Sequence, residues 1–175
     1  MSGSSLFVIG GARSGKSRYA QARAEAFVGN HFFVATAEAF DDEMRDRITR
    51  HQADRDARWR TVEAPRALPA AIDTLNGHEA VVLVDCLTLW ISNLLLADAD
   101  IPLAERRLCA AVARFDGTLI LVANEVGLGI VPDNALARRF RDAAGRLNQA
   151  VAAASGEVVL LTAGLPLTLK PRMNG

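Results

Sequence analysis

The stretch Gly10-Gly11-Ala12-Arg13-Ser14-Gly15-Lys16-Ser17 decides how the chain folds. It fits G-x-x-x-x-G-K-[ST], the phosphate-binding P-loop pattern. Leu6-Phe7-Val8-Ile9 before it reads as a short buried strand, and Ser17 to Phe27 after it reads as a helix. A loop between strand and helix aims several backbone N–H groups, and the positive end of the helix dipole, at a phosphate. There Gly10 to Ser17 would bind a nucleotide, Lys16 would reach the β- and γ-phosphates, and the Ser17 hydroxyl would hold Mg²⁺. The plainer alternative is a glycine-rich turn that binds nothing. The basic residues weigh against it, because of 20 only Lys16 and Lys170 are lysine. A chain so biased towards arginine keeps lysine where a compact ammonium is needed rather than a wide planar fork.

Working outward, apolar β-rich runs alternate with helical patterns. His31 to Thr36 reads as a second strand, and Thr36-Ala37-Glu38-Ala39 lies at its carboxyl end. Open α/β sheets bind ligands there. Glu38 is either a ribose or base contact or a solvated loop glutamate. Asp41-Asp42-Glu43 suits a helix start, since acidic groups favour that end of the dipole. The helix would carry Met44, Ile48 and His51 on one face. His51 is thus either a boundary residue of an apolar stripe or a reactive group. Its flanking Arg45, Arg47, Arg50 and Arg55 either attract a polyphosphate or form a solvated face paired with Asp46, Asp54 and Asp56.

Ala80 to Val84, ending in Asp85, has the form of a buried parallel strand closed by a carboxylate. With an upstream P-loop, Asp85 matches the acid that holds Mg²⁺ opposite Ser17. Thr118 to Ala123 is a further strand, ending in Asn124-Glu125 and a glycine-rich loop to Pro132. A helix follows with Leu136, Phe140, Ala144, Leu147 and Val151 on one face, then a last strand, Glu157 to Gly164. Leu165 to Gly175 reads as a tail. The pattern predicts a single α/β domain over 1–175, with a doubly wound, mostly parallel sheet. The P-loop, Glu38, Asp85 and Asn124-Glu125 all fall at carboxyl ends of strands.

Composition narrows the function. Half of the 175 residues are hydrophobic and the formal net charge is zero. No global field favours nucleic acid or an anionic membrane, so an anion site must be local. Cys86 and Cys109 lie in apolar segments, which suggests burial rather than a disulfide framework. No signal peptide and no bilayer-length apolar run are apparent, so a cytoplasmic protein without membrane insertion is expected.

The sequence also resembles the bifunctional adenosylcobinamide kinase/adenosylcobinamide-phosphate guanylyltransferase family of cobalamin biosynthesis. The resemblance runs through Gly10 to Arg18, Ala35 to Glu38, Asp42-Glu43-Met44 with Arg47-Ile48 and His51, Trp59 to Glu63, and Val84 to Thr88. It continues in Asn124 to Pro132, Arg139-Phe140-Arg141-Asp142, Gly145-Arg146 and Asn148-Gln149. It implies a RecA-like P-loop NTPase fold and a homotrimer. It implies two reactions: phosphorylation of adenosylcobinamide by ATP or GTP, then transfer of GMP from GTP to that phosphate. The family's guanylyl-histidine falls on His51. Its nucleotide contacts fall on the P-loop, Ala37-Glu38-Ala39, Asp54-Arg55, Glu63 and Asp85. A second histidine found beside that position in the family is absent here. The competing expectation is a P-loop small-molecule kinase with no covalent step.

Overall fold

The computed structural model of the chain describes residues 3–38 and 57–172. The expected helix around His51, with Ala39, Asp54 and Arg55, lies outside the described residues. The elements are β1 (Ser4–Gly10), α1 (Lys16–Glu25), β2 (Asn30–Ala35), β3 (Trp59–Glu63), α2 (Leu68–Thr74) and β4 (Ala80–Asp85). They continue with α3 (Leu87–Leu96), α4 (Ile101–Ala113), β5 (Thr118–Asn124), α5 (Ala135–Ala154), β6 (Glu157–Thr162) and β7 (Leu165–Lys170).

The strands form one sheet in the order β3-β2-β4-β5-β1-β6-β7. Every pair is parallel except β6 with β7. The P-loop strand β1 is separated from the Asp85 strand β4 by one strand, β5. This is the doubly wound, RecA-like order.

Strand alternation explains the two layers, because successive side chains face opposite sides. Leu6, Val8, Val81, Leu83, Ile120, Val122, Val159 and Leu161 bury one face with Ala20 and Ala24 of α1. Phe7, Ile9, Val82, Val84, Leu119, Leu121, Ala123 and Val158 bury the other against α2 to α5. Strands covered on both faces carry continuous apolar runs, as β1 (Leu6 to Ile9), β4 (Ala80 to Val84) and β5 (Leu119 to Ala123) do.

The helix ends follow local chemistry. Pro69 and Pro102 occupy first-turn positions of α2 and α4, where a missing N–H costs nothing. The side chains of Cys86, Asp100 and Asn134 cap α3, α4 and α5 by accepting a backbone N–H.

Two expectations are corrected. Leu165 to Lys170 is not tail but β7, joined to β6 through Ala163 and Gly164, both with left-handed φ. A two-residue turn of that hand matches strand twist. On α5, Ala144, Leu147 and Val151 are buried as expected, but Leu136 is 48 % exposed. The Asn148 amide reaches the Asn124 carbonyl at the end of β5, so the first turns of α5 project beyond the strand end.

Candidate active site at the carboxyl edge

Strand register sets the candidate residues along one edge. Glu63 of β3 pairs with Ala35 of β2, and Ala35 with Asp85 of β4. Asp85 pairs with Val122, while Gly10 pairs with Asn124 on one side and Leu161 on the other. Gly10 to Ser17, Ala37, Glu38, Glu63, Asp85 and Asn124-Glu125 therefore share the carboxyl edge.

The P-loop is fixed from three sides. Within it, the Ser14 N–H donates to the Gly11 carbonyl at 3.3 Å. The Glu125 N–H donates to the Gly10 carbonyl at 2.9 Å, and the Gly164 N–H to the Ser14 carbonyl at 2.8 Å. Two glycines are required by this geometry. A Cβ on Gly10 would lie 2.5 Å from Ser14 Oγ and 2.6 Å from the Leu161 carbonyl. Gly15, the cap of α1, has φ 90°, and its Cβ would meet Gly164 Cα at 3.3 Å. Lys16 Nζ donates to the Gly11 carbonyl at 3.0 Å, which places the ammonium across the loop mouth. Ser17 is exposed in the first turn of α1.

Below the edge lies a buried polar floor to which the sequence analysis assigned no role. Thr36 Oγ1 donates to the Cys86 carbonyl at 2.7 Å and accepts the Cys86 N–H at 2.9 Å. Asn93 Nδ2 donates to the Thr36 and Pro65 carbonyls at 2.7 and 2.9 Å. Thr88 Oγ1 accepts the Asn124 N–H at 2.7 Å. These bonds tie the ends of β2, β4 and β5 together and satisfy backbone groups that would otherwise be buried unpaired. A signal existed: Asn93 interrupts the apolar run of α3, and a polar residue there needs a partner. Burial, then the nearby Asp85 carboxylate, push the Cys86 thiol up to about 11.

Glu38 is held rather than solvated, since its carboxylate receives Arg66 Nε at 3.0 Å and Nη2 at 3.5 Å. Glu63 is exposed and Asp85 half-buried. Beyond Glu125, the glycine-rich loop exposes Leu128 and Ile130 almost fully. Of the other histidines, His31 is buried with both ring nitrogens on backbone carbonyls, and His78 is exposed. Cys86 and Cys109 are free thiols; Cys109 is only half-buried, less than expected. Among the described residues, no helix is long and apolar enough to cross a membrane.

A protein of known structure from Pyrococcus horikoshii OT3 superposes with a TM-score of 0.59 over 99 % of this chain and 89 % of its own. At 9 % identity it shows shared fold only. Sequence relatives are far nearer. The bifunctional adenosylcobalamin biosynthesis protein CobP of Pseudomonas aeruginosa is 46 % identical, over 93 % of this chain and 95 % of its own. The corresponding CobU of Salmonella typhimurium is 42 % identical, over 94 % and 99 %. The profile of the cobinamide kinase/cobinamide phosphate guanyltransferase family matches residues 6–169, from the P-loop strand to β7. The carboxyl-edge cradle and the near-complete match agree, and the chain belongs to the cobinamide kinase/cobinamide phosphate guanyltransferase family of bifunctional enzymes.

Proposed function

We propose that this chain, acting as one catalytic domain, phosphorylates adenosylcobinamide and then guanylylates the product through a covalent guanylyl-histidine on His51. The observation that carries the reading is the P-loop on β1–α1 sharing one sheet edge with Asp85 and Asn124-Glu125, within a family match spanning nearly the whole chain.

In the first reaction the acceptor hydroxyl oxygen bonds to the γ-phosphorus. The bond from that phosphorus to the β–γ bridging oxygen breaks, and a nucleoside diphosphate and a proton leave. In the second, a neutral ring nitrogen of His51 attacks the α-phosphorus of GTP, the α–β bridging bond breaks, and pyrophosphate departs. A phosphate oxygen of the acceptor then attacks the same phosphorus, breaking the N–P bond and restoring His51. Imidazole suits this role because its pKa lies near neutrality. One cradle serves both steps, since Gly10 to Lys16 binds the γ end of one nucleotide and the leaving pyrophosphate of the other. Ala37, Glu38, Ala39, Asp54, Arg55 and Glu63 complete the nucleotide site.

Ser17 and Asp85 would hold Mg²⁺. Both are hard oxygen donors at the carboxyl edge, which fits an ion bound by few protein groups together with substrate phosphates. Such an ion neutralises charge on the phosphate oxygens. The resemblance implies a homotrimer, and the leucines exposed on β7 are apolar surface that a subunit contact would cover.

The test is incubation with α-³²P-GTP followed by denaturing electrophoresis. Acid-labile, base-stable label is expected on the wild type and none on His51→Ala, which retains kinase activity. Label-free wild type that still turns over both substrates would overturn the covalent route. A His51→Ala protein with undiminished guanylyl transfer would do the same.

A further inference from the structure

Two buried side-chain polar atoms among the described residues lack a hydrogen-bond partner: Ser14 Oγ and Arg141 Nη1. Ser14 belongs to the P-loop. Arg141 lies far along the chain on α5, a helix anchored at the end of β5, the strand beside β1. β1 and β5 are neighbours with Gly10 opposite Asn124. The Asn148 amide fixes the buried face of α5 on the Asn124 carbonyl. Arg141 precedes Asn148 by seven residues, two helical turns, and so shares that face with Ala144. It stands about 10 Å nearer the helix N-terminus. α5 runs from the carboxyl edge back to the start of β6, so Arg141 lies beyond the carboxyl end of β5, on the side where the P-loop opens. Helical side chains lean towards the N-terminus, which carries the guanidinium further in that direction.

Its neighbour behaves differently. Arg138 Nη1 is committed to the Pro132 and Asp133 carbonyls at 2.9 and 2.7 Å and pins the loop before α5. Arg141 makes no such bond. A guanidinium stays charged at all physiological pH, and a buried N–H without an acceptor is unfavourable in the folded state. The fork of an arginine matches phosphate oxygens.

We propose that Arg141 is a phosphate-binding residue of this active site, facing the P-loop across the end of β5. Its ligand is a phosphate dianion, either the terminal phosphate of the nucleotide or the phosphomonoester on the acceptor. In catalysis it would hold that group in line with the P-loop. The catalytic part of this inference rests on the function proposed above; the binding part does not.

The test is calorimetric titration of the full-length wild type, Arg141→Met and Arg141→Lys with four probes. These are GMP, β,γ-imido-GTP with Mg²⁺, adenosylcobinamide and adenosylcobinamide phosphate. Arg141→Met is expected to bind either imido-GTP or adenosylcobinamide phosphate at least ten-fold more weakly, with GMP and adenosylcobinamide unchanged. Arg141→Lys should fall between. Loss confined to imido-GTP assigns the terminal phosphate, and loss confined to the phosphorylated acceptor assigns the phosphomonoester. Equal affinities in all three proteins, with kcat/KM unaltered, would overturn the proposal. If Arg141→Met does not fold, Arg141→Lys decides: wild-type affinity for both imido-GTP and adenosylcobinamide phosphate overturns the proposal, and selective weakening of one supports it. A wild type that binds these probes but turns over no cobinamide would instead defeat the proposed function alone.

Discussion

The two ends of the sheet each hold one of the chain's two lysines, and they use them in opposite ways. At the amino end, Lys170 Nζ donates to three carbonyls, those of Ala152, Ala153 and Ser155, where the last turn of α5 gathers negative charge. Nearby, Arg23 binds Glu157 through two bonds of 2.7 and 3.0 Å, which raises the arginine pKa further. His31 has both ring nitrogens occupied. At the carboxyl end, Lys16 meets one carbonyl, while Ser14 Oγ and Arg141 Nη1 meet none. Among the described residues, the two buried side-chain polar atoms without a partner both belong to the carboxyl mouth and none to the amino end. Donors left free at one edge of an otherwise satisfied fold are capacity for a ligand, and their cost is offset by bonds made elsewhere.

The sharpest way to break this contrast is to neutralise each lysine in turn. Lys16→Met should lower kcat/KM for both reactions by roughly 10²–10³, as removal of one preorganised charge does, with the urea midpoint unchanged. Lys170→Met should do the reverse, losing about 2 kcal/mol of stability while kcat/KM at 25 °C stays at the wild-type value. Paired denaturation and steady-state kinetics decide it. A destabilised Lys16→Met or an inactive, stable Lys170→Met would erase the distinction between the ends. Lys170→Arg adds resolution, because a planar fork cannot converge on three carbonyls as an ammonium does.

A smaller effect is expected inside the cradle. In Gly10→Ala the new methyl would press on Ser14 Oγ and the Leu161 carbonyl. Overpacking of this kind costs about 1–3 kcal/mol. The Leu161 carbonyl is backbone of a strand paired on both sides and cannot yield, so Ser14 must move and the loop with it. Thermal melts should show lower stability, and nucleotide affinity should fall. Wild-type affinity in Gly10→Ala would mean that the loop adapts to its ligand and is not preformed.

Much of this was readable in the sequence because it is local. The P-loop pattern, the apolar runs of β1, β4 and β5, and the Pro and Asn cap signals all act within a few residues. What escaped is non-local. Leu165 to Gly175 reads as tail because two prolines and alternate exposed leucines carry no core signal; only pairing with β6 and the Ala163-Gly164 turn make β7 a strand. The roles of Thr36, Thr88 and Asn93 are not legible locally, because their partners lie 28 to 57 residues away. In the sequence Arg141 is one of four arginines on α5 with nothing local to set it apart. Its distinction is a buried, partnerless nitrogen, which depends on the packing of α5 against the end of β5.

The last contrast lies within the carboxyl end itself, between the unsaturated mouth and the saturated floor beneath it. Cys86 reports on that floor. Its thiol sulfur accepts the Leu89 N–H as the cap of α3, and its pKa rises from 9.0 to about 11. Below about pH 9 both folded and unfolded chains keep the proton, and the contribution to stability is complete. Between 9 and 11 the unfolded chain releases the proton first and so binds fewer protons than the fold, and stability falls as pH rises. The urea midpoint of the wild type should therefore decline more steeply over this window than that of Cys86→Ala, whose loss of the cap is a constant offset. Native Cys86 should also resist alkylation at pH 7.5, since the reactive thiolate is scarce. Parallel slopes with rapid alkylation would show water reaching the floor. The mouth and the floor would then be one wet site, and the free donors at the mouth would be serving solvent rather than awaiting phosphate.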